Sequence, residues 1–282
     1  MNFQEMFYQI TEGPGLIQKL TVTHAKGKWP KYLLGGLIVF FFTNWLPSIL
    51  SYFIPLNYWD LVDEQVKEAY ANMVGQTPEL PIVPIIYMLL FVGVFEVGQA
   101  LYVLTFIRNG SCEYRSIFEG FVLFGKAIGL SIVRSIFISM GLFLFIAPGV
   151  LFFYHFRQAY FILADDPSKG IMQCLAESRM RMTGNKMNMF RLDLSYIGIV
   201  ALGYFPSYVV AYFQLLDQST LAGMLGYFVL EIPLALALSY CVLVRGVYYE
   251  LLVYHGFDNF KFQGEEVFRN YRLLLNENAN EQ

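Results

Sequence analysis

Charged residues are scarce in this chain. They make up 15% of its 282 residues, against about 25% in soluble globular domains. Apolar and aromatic residues together make up 56%, and the mean hydropathy is +0.48. A chain of this size could not cover a globule with so few charges, and it is too apolar to stay disordered. The composition therefore predicts an integral membrane protein.

Cysteine is also scarce, and histidine does not cluster. The three cysteines (Cys112, Cys174 and Cys241) form no CxxC pair, and the three histidines lie in separate segments, so we expect neither disulfides nor zinc. The net charge is −3 and the basic residues form no stripe, which argues against nucleic-acid binding. Membrane lipids are the expected partners, and a membrane protein or peptide is the second class of partner considered.

Motifs of the common enzyme classes are absent. The sequence contains no GxSxG, HExxH, Walker A or GxGxxG pattern. We therefore expect a protein that is not an enzyme and that carries no cofactor or metal.

Long apolar stretches predict an all-α fold, a polytopic bundle of about six membrane-spanning helices. Lipid offers no hydrogen-bond partner to an unpaired backbone, so a spanning segment must be helical or close into a barrel, and no alternating 10-residue pattern indicates a barrel. The predicted spans are Tyr32–Ile54, Ile85–Ile107, Ala127–Ala147, Gly149–Ala164, Met189–Gln214 and Leu221–Val244. The helix of the last span is predicted to continue past the membrane to a stop near Gly256. The fourth is short and follows a break at Pro148-Gly149, so it is either a short second helix of a hairpin or a re-entrant element.

The basic residues predict the orientation and the domain limits. Of the 19 Lys and Arg residues, Lys67 alone falls on one side, and Arg134 and Arg157 fall within predicted spans. The excess of positive charge marks the cytoplasmic side, so both termini are expected in the cytoplasm. The chain divides into a basic N-terminal segment (1–31), the spans (32–256) and a C-terminal tail (257–282).

Three charged residues inside the predicted spans form the candidate functional cluster. Glu96, Arg134 and Glu231 lie at depths of about 16, 10 and 20 Å from the cytoplasmic ends of their helices, at 1.5 Å per residue. An unpaired charge in lipid is costly. The cluster is therefore either an ion or substrate path or a buried pairing of Arg134 with a glutamate that holds the bundle together.

Two connectors on the cytoplasmic side are predicted to form interfacial helices. One lies around Tyr114–Phe124, where aromatic and apolar residues recur at helical spacing. The other runs from about Pro167 to Thr183, with Asp166 as its cap and Gly184 just after its end. The sequence offers no third carboxylate or histidine near Asp165 and Asp166. A helix cap therefore explains this pair better than a metal site does. Asp193 is expected to cap the fifth span or to pair with a neighbour.

Several of these positions resemble a known family. Leu163-Ala164-Asp165-Asp166-Pro167, then Met182-Thr183-Gly184-Asn185-Lys186, then Phe190-Arg191-Leu192-Asp193-Leu194-Ser195 look like motifs of the DUF975 family of bacterial membrane proteins. A more distant resemblance is to the membrane domain that accompanies some glycerophosphodiester phosphodiesterases. The resemblance implies a six-span protein of the bacterial cytoplasmic membrane and supplies no mechanism. A structural role would explain all the matching positions: Asp165, Asp166, Pro167, Gly184, Lys186, Asp193 and Ser195.

Two functions follow as hypotheses. The first is a non-catalytic membrane protein that acts through lipid or protein contacts, in membrane and envelope homeostasis or in immunity against a membrane-active factor. The alternative is a small transporter or lipid flippase that uses Glu96, Arg134 and Glu231 together with the broken third and fourth spans.

Overall fold

The structure is a computed structural model that describes residues 8–75, 80–217 and 220–255. The predicted C-terminal tail, residues 257–282, lies outside the described residues. Within the described ranges the chain is helical and forms no β-strand, so the predicted all-α class is confirmed. The helices are α1 Pro14–Ala25, α2 Trp29–Phe53, α3 Glu64–Val74, α4 Ile82–Asn109, α5 Arg115–Leu144, α6 Ile146–His155, α7 Ala159–Asp165, α8 Ile171–Arg181, α9 Lys186–Tyr212 and α10 Leu221–Tyr254.

Five of these helices are long and apolar enough to cross a membrane: α2, α4, α5, α9 and α10. Each overlaps one of the five longer predicted spans, and α4 and α10 contain theirs completely. Two of them carry a local π-type turn, at Phe41–Trp45 in α2 and at Met88–Val92 in α4. The first turn comes directly before Pro47, whose missing N–H removes one helical hydrogen bond.

The fourth predicted span is two short helices. The break at its start lies at Phe145, which is extended (φ −164°, ψ 158°), and not at Pro148-Gly149. Pro148 falls in the first turn of α6, where a helix needs no N–H from it. A second break separates α6 from α7 at residues 156–158. The Lys126 ammonium donates to the Pro167 carbonyl oxygen at 2.6 Å, so α6 and α7 together return along α5 as far as Lys126.

The predicted interfacial helix at Tyr114–Phe124 is instead the first part of α5. It runs back along α4, with Ile117 fully buried and the Tyr114 ring stacked on Tyr102 at 6.2 Å. Gly98 and Gly120 permit this approach, since a Cβ on either glycine would overlap a carbonyl oxygen of the facing helix. The apolar stripe predicted from the sequence therefore packs partly against α4, and part of it remains exposed on the surface of the bundle.

Burial is concentrated at one end of the bundle. In α10 nearly every residue from Cys241 to Leu252 is buried, whereas most residues from Leu221 to Leu234 are not. The buried part of α10 packs with the second half of α4 and with α1. Its Tyr249 ring also stacks on Phe161 of α7 at 5.5 Å and lies 5.7 Å from the Arg181 guanidinium of α8. We call this region the packed end. The rest of the long helices form the exposed end, where large apolar side chains such as Phe143 and Leu202 are accessible.

The chain before the first long helix belongs to the packed end. Ile10, Ile17 and Leu20 are each 2% exposed and join the core. The buried Asn185 side chain accepts from the Ile10 N–H at 2.9 Å and donates to the Tyr8 carbonyl oxygen at 2.7 Å. One asparagine thus fixes this segment to the beginning of α9.

Candidate functional site

A cavity of about 930 Å³ lies between four of the long helices, α2, α4, α5 and α10. Its walls are mostly apolar. Both π-type turns contribute to its lining, through Thr43 and Asn44 on α2 and through Met88, Leu89 and Val92 on α4. Such turns widen a helix locally and are frequent at functional sites. The cavity is therefore built into the irregular parts of two helices.

Charged side chains are confined to one end of this cavity. Glu96 on α4 and Arg245 on α10, together with Gln99, line the end nearest the packed end. Uncharged polar residues are more dispersed: Ser131, Ser135 and Ser139 recur every four residues on α5, and Thr43, Asn44 and Ser239 lie on α2 and α10. A mostly apolar lining with a few polar groups is typical of ligand sites.

A second, smaller cavity of about 40 Å³ adjoins this polar end. It shares Glu96, Gln99, Val242 and Arg245 with the large cavity. Its remaining lining adds Arg134 from α5, Arg157 from the break between α6 and α7, and the residues Ala100, Tyr160 and Phe161. We refer to Arg134, Arg157 and Arg245 as the arginine cluster. Four helical segments thus bring three guanidinium groups and one carboxylate to a single small space.

The three arginines differ in their partners. Arg157 pairs with Asp193 at 3.4 Å, and its guanidinium lies 4.6 Å from the centre of the Phe153 ring. The Arg134 guanidinium lies 5.1 Å from the centre of the Tyr160 ring. Within the part of the chain that the structure describes, no carboxylate oxygen comes within 4 Å of Arg134 or Arg245. Arg245 Nε donates only to the Cys241 carbonyl oxygen, at 3.3 Å.

Glu96 and Arg134 therefore share a cavity, but Glu231 does not join them. The Glu231 carboxylate accepts a hydrogen bond from the Trp45 indole N–H at 2.7 Å. Glu231 precedes Arg245 by 14 residues on α10, a rise of about 21 Å along the helix. The predicted cluster of three is replaced by Glu96 with the arginine cluster.

Gln99, Arg157 and Arg245 were not among the predicted site residues. Arg245 follows Val244, the predicted membrane limit of the last span. The helix was predicted to continue to a stop near Gly256, and α10 does continue to Tyr254, but it carries Arg245 within the bundle. The signal for Arg157 was its place inside an apolar stretch, and the signal for Gln99 was its helical spacing from Glu96.

The predicted connector helix begins later than expected. Its structured part is α8, which starts at Ile171, and the Gln173 side chain accepts from the Gly170 N–H at 2.8 Å to close its first turn. Asp166 caps a turn before this helix instead, because its carboxylate accepts from the Ser168 hydroxyl and N–H. These hydrogen bonds lower the pKa of Asp166. Pro167 lies inside that turn.

The other motif positions hold elements of the packed end together. The Asp165 carboxylate pairs with Arg108 at 2.6 Å and accepts from the Tyr249 hydroxyl at 3.0 Å. Gly184 has a left-handed conformation (φ +83°) that favours glycine. Lys186 begins α9. The Ser195 hydroxyl accepts from the Gln18 side chain of α1 at 2.7 Å.

Asp193 is a further motif position, and it is the one that reaches the arginine cluster. Besides Arg157, its carboxylate accepts a hydrogen bond from the Tyr196 hydroxyl. Asp193 therefore pairs with a neighbour and does not cap a helix, since α9 has already begun at Lys186.

Comparison with known proteins gives one match. Residues 142–255 match the DUF975 family model. That family is described as a protein of unknown function, and the resemblance read from the motifs is confirmed over this range. The matched part contains Arg157, Asp193, Glu231 and Arg245, whereas Glu96 and Arg134 precede it. No curated protein and no solved structure matches the chain.

Proposed function

We propose that this protein is a non-catalytic membrane protein that binds a lipid in the cavity between α2, α4, α5 and α10. The observation that carries the proposal is the cavity itself, about 930 Å³ in volume, with a mostly apolar lining and with its charged side chains, Glu96 and Arg245, at one end. This distribution matches an amphiphile, whose hydrocarbon part needs apolar walls and whose head needs polar groups.

The dimensions of the cavity support a lipid chain as its occupant. Its lining on α4 extends from Ile85 to Gln99, a rise of about 21 Å at 1.5 Å per residue. One leaflet of hydrocarbon is about 15 Å thick, half of the ~30 Å core. A chain drawn from one leaflet would therefore fit along the wall.

The polar end supports the orientation of such a lipid. Glu96, Gln99 and Arg245 lie next to the packed end, which contains α1 and α8. The excess of Lys and Arg in the segments at this end of the helices favours a cytoplasmic position for it. The protein would then lie in a bacterial cytoplasmic membrane with both termini in the cytoplasm. The ligand would then come from the cytoplasmic leaflet. Envelope homeostasis and immunity against a membrane-active factor are both settings for such a protein.

A cavity-filling variant tests the proposal. Ser135→Phe places a ring in the cavity, and Leu202→Phe places the same ring on α9, where Leu202 is 74% exposed. We expect native mass spectrometry of the purified protein in non-ionic detergent to show stoichiometric binding of added phosphatidylglycerol to the wild type and to Leu202→Phe. Ser135→Phe should lose this binding. Equal binding by both variants at an unchanged melting temperature would contradict the proposal.

Transport is the second candidate function, and one observation favours it. The two cavities share Glu96, Gln99 and Arg245, so a polar route leads from the large cavity toward Arg157. A flippase would move the lipid head along this route. Scrambling of a labelled lipid in proteoliposomes, present in the wild type and lost in Ser135→Phe, would support transport. Stoichiometric binding without scrambling would leave lipid binding alone as the function.

A further inference from the structure

We infer that the arginine cluster is the site of an anionic head group that carries one negative charge, a phosphodiester or a carboxylate. The inference rests on the proposed function, because the apolar part of the same ligand would occupy the large cavity. The head would contact Arg134 and Arg245, and Arg157 would form the far side of the site.

The balance of charge is the first argument. The small cavity is lined by three arginines and by one carboxylate, that of Glu96. Asp193 offsets Arg157 at 3.4 Å from outside the lining. If Glu96 offsets a second arginine through the shared cavity, one positive charge is left over. A bare charge away from bulk water is strongly unfavourable, so a monoanion completes the site.

Unused hydrogen-bond donors are the second argument. The Nε atoms of Arg134 and Arg157 are buried and have no hydrogen-bond partner among the described residues. A guanidinium carries five donors in a planar fork that matches the two oxygens of a carboxylate or phosphate. Leaving a buried donor unpaired costs free energy, and an anion in the small cavity, which Arg134 and Arg157 line together with Arg245, would supply the missing acceptor.

The location and the size of the site are the third argument. About 40 Å³ of space lies among these groups, more than the roughly 10–15 Å³ that one water needs. The space adjoins the large cavity through Gln99 and Val242. A head group can therefore enter the arginine cluster while its chains stay against the apolar walls.

Two lipids that share their chains separate the inference from the proposed function. Dioleoyl phosphatidylglycerol has one negative charge, and diolein has the same chains without it. We expect the wild type to bind the phosphatidylglycerol at least about tenfold more tightly, which is 1.4 kcal/mol. Arg134→Gln and Arg245→Gln should lose this preference and keep the affinity for diolein. Arg115→Gln, the same charge change at an exposed position, should keep the preference.

Each result has a defined meaning. If both lipids bind equally to the wild type and neither binds to Ser135→Phe, the anion site is wrong and the lipid cavity stands. If neither lipid binds to the wild type, both proposals fail. Should the glutamine variants not fold, Arg134→Lys retains the charge without the planar fork. We expect it to fold and to keep part of the preference, and an unchanged preference would overturn the role of the fork.

Inorganic phosphate distinguishes a lipid from a free anion as the natural occupant. A free phosphate gains nothing from the apolar cavity, so we expect it to compete with the lipid only at concentrations far above that of the lipid. Competition at equal concentrations, lost in Arg134→Gln, would assign the site to a water-soluble anion and overturn the lipid head group.

Discussion

Arg108 and Glu250 join the packed ends of α4 and α10. The Arg108 Nε donates to the Glu250 carboxylate at 2.8 Å, and the Glu250 side chain is only 1% exposed. The same guanidinium reaches Asp165 at the end of α7 at 2.6 Å. Three helices that lie far apart in sequence therefore meet at one arginine.

Replacing this arginine should destabilise the protein strongly. Arg108→Ala leaves the buried Glu250 without its partner, and breaking a buried pair typically costs about 3–5 kcal/mol. We expect a lowered melting temperature, measured by differential scanning fluorimetry in detergent. Arg108→Met combined with Glu250→Leu removes both charges of this pair and should recover part of the loss, since Asp165 then keeps only its hydrogen bond from Tyr249 among the contacts described above.

Lys67 supplies the control for this prediction. It forms an ion pair with Glu64 at 3.6 Å, and the Glu64 side chain is 71% exposed. Exposed pairs contribute about 0–1 kcal/mol, so Lys67→Ala should leave the melting temperature nearly unchanged. Equal shifts for Arg108→Ala and Lys67→Ala would show that the Arg108 pairs contribute no more than a surface contact.

The close contact between α4 and α5 predicts opposite effects for two glycines. A Cβ at position 98 would overlap the Ile117 carbonyl oxygen, whereas a Cβ at position 198 would meet nothing within 4 Å. Gly98→Ala should therefore destabilise by about 1–3 kcal/mol, the usual cost of overpacking. Gly198→Ala, within helix α9, should stabilise by roughly 0.5–1 kcal/mol.

Thermal unfolding in the same detergent measures both glycine variants. The prediction concerns the sign of each change, which is independent of the detergent. A Gly98→Ala variant as stable as the wild type would mean that α5 does not approach α4 along this line.

The long helices could be predicted from the sequence, but the ends of several could not. The spans could be predicted from the length of the apolar stretches alone, because a segment in lipid must satisfy its own backbone hydrogen bonds and therefore forms a helix. The continuation of α10 past Val244 was predicted, but the burial of residues 246–252 against α1, α4 and α7 was not, because this packing leaves no signal in local hydropathy. The reversal at Phe145 was missed because an extended backbone suits any residue, so neither the proline nor the glycine nearby marks it.

The same reason explains what was missed at the site. The sequence identifies the charges within spans, such as Glu96 and Arg134, by their cost in lipid. It does not say which helix faces which. Glu231 was grouped with them by depth, yet its partner is Trp45 on α2. Arg245 was placed on the cytoplasmic side because the membrane part of its helix was predicted to end at Val244.

Asn185 should control the attachment of the N-terminal segment. Its side chain is fully buried and makes hydrogen bonds to the backbone of Tyr8, Ile10 and Arg181. Asn185→Ala leaves buried backbone groups unpaired, at about 1–3 kcal/mol each. We expect faster amide hydrogen exchange in residues 8–25, measured by mass spectrometry.

Asn188→Ala is the matched control for Asn185→Ala. Asn188 donates a single hydrogen bond to the Ile10 carbonyl oxygen, at 2.7 Å, so its loss should speed exchange less. If neither variant changes exchange in this segment, the other contacts of α1 hold it, namely the buried Ile17 and Leu20 and the hydrogen bond from Gln18 to Ser195.

Glu231 should be dispensable for ligand binding and important for the environment of Trp45. The indole N–H donates to the carboxylate at 2.7 Å, and the Trp45 ring stacks on Phe228 with centroids 5.1 Å apart. Glu231→Gln keeps an acceptor oxygen, whereas Glu231→Leu removes it. In a background with Trp29→Phe and Trp59→Phe, we expect the emission spectrum of Trp45 to be nearly unchanged by glutamine and shifted by leucine.

Lipid binding distinguishes this structural role from a role in transport. Glu231 lies about 21 Å along α10 from Arg245, too far to contact a head group held by the arginine cluster. Both Glu231 variants should therefore bind phosphatidylglycerol as the wild type does, while Arg245→Gln should not. Loss of binding or of lipid scrambling in Glu231→Gln, with Trp45 emission unchanged, would return Glu231 to the functional site beside Glu96 and Arg134.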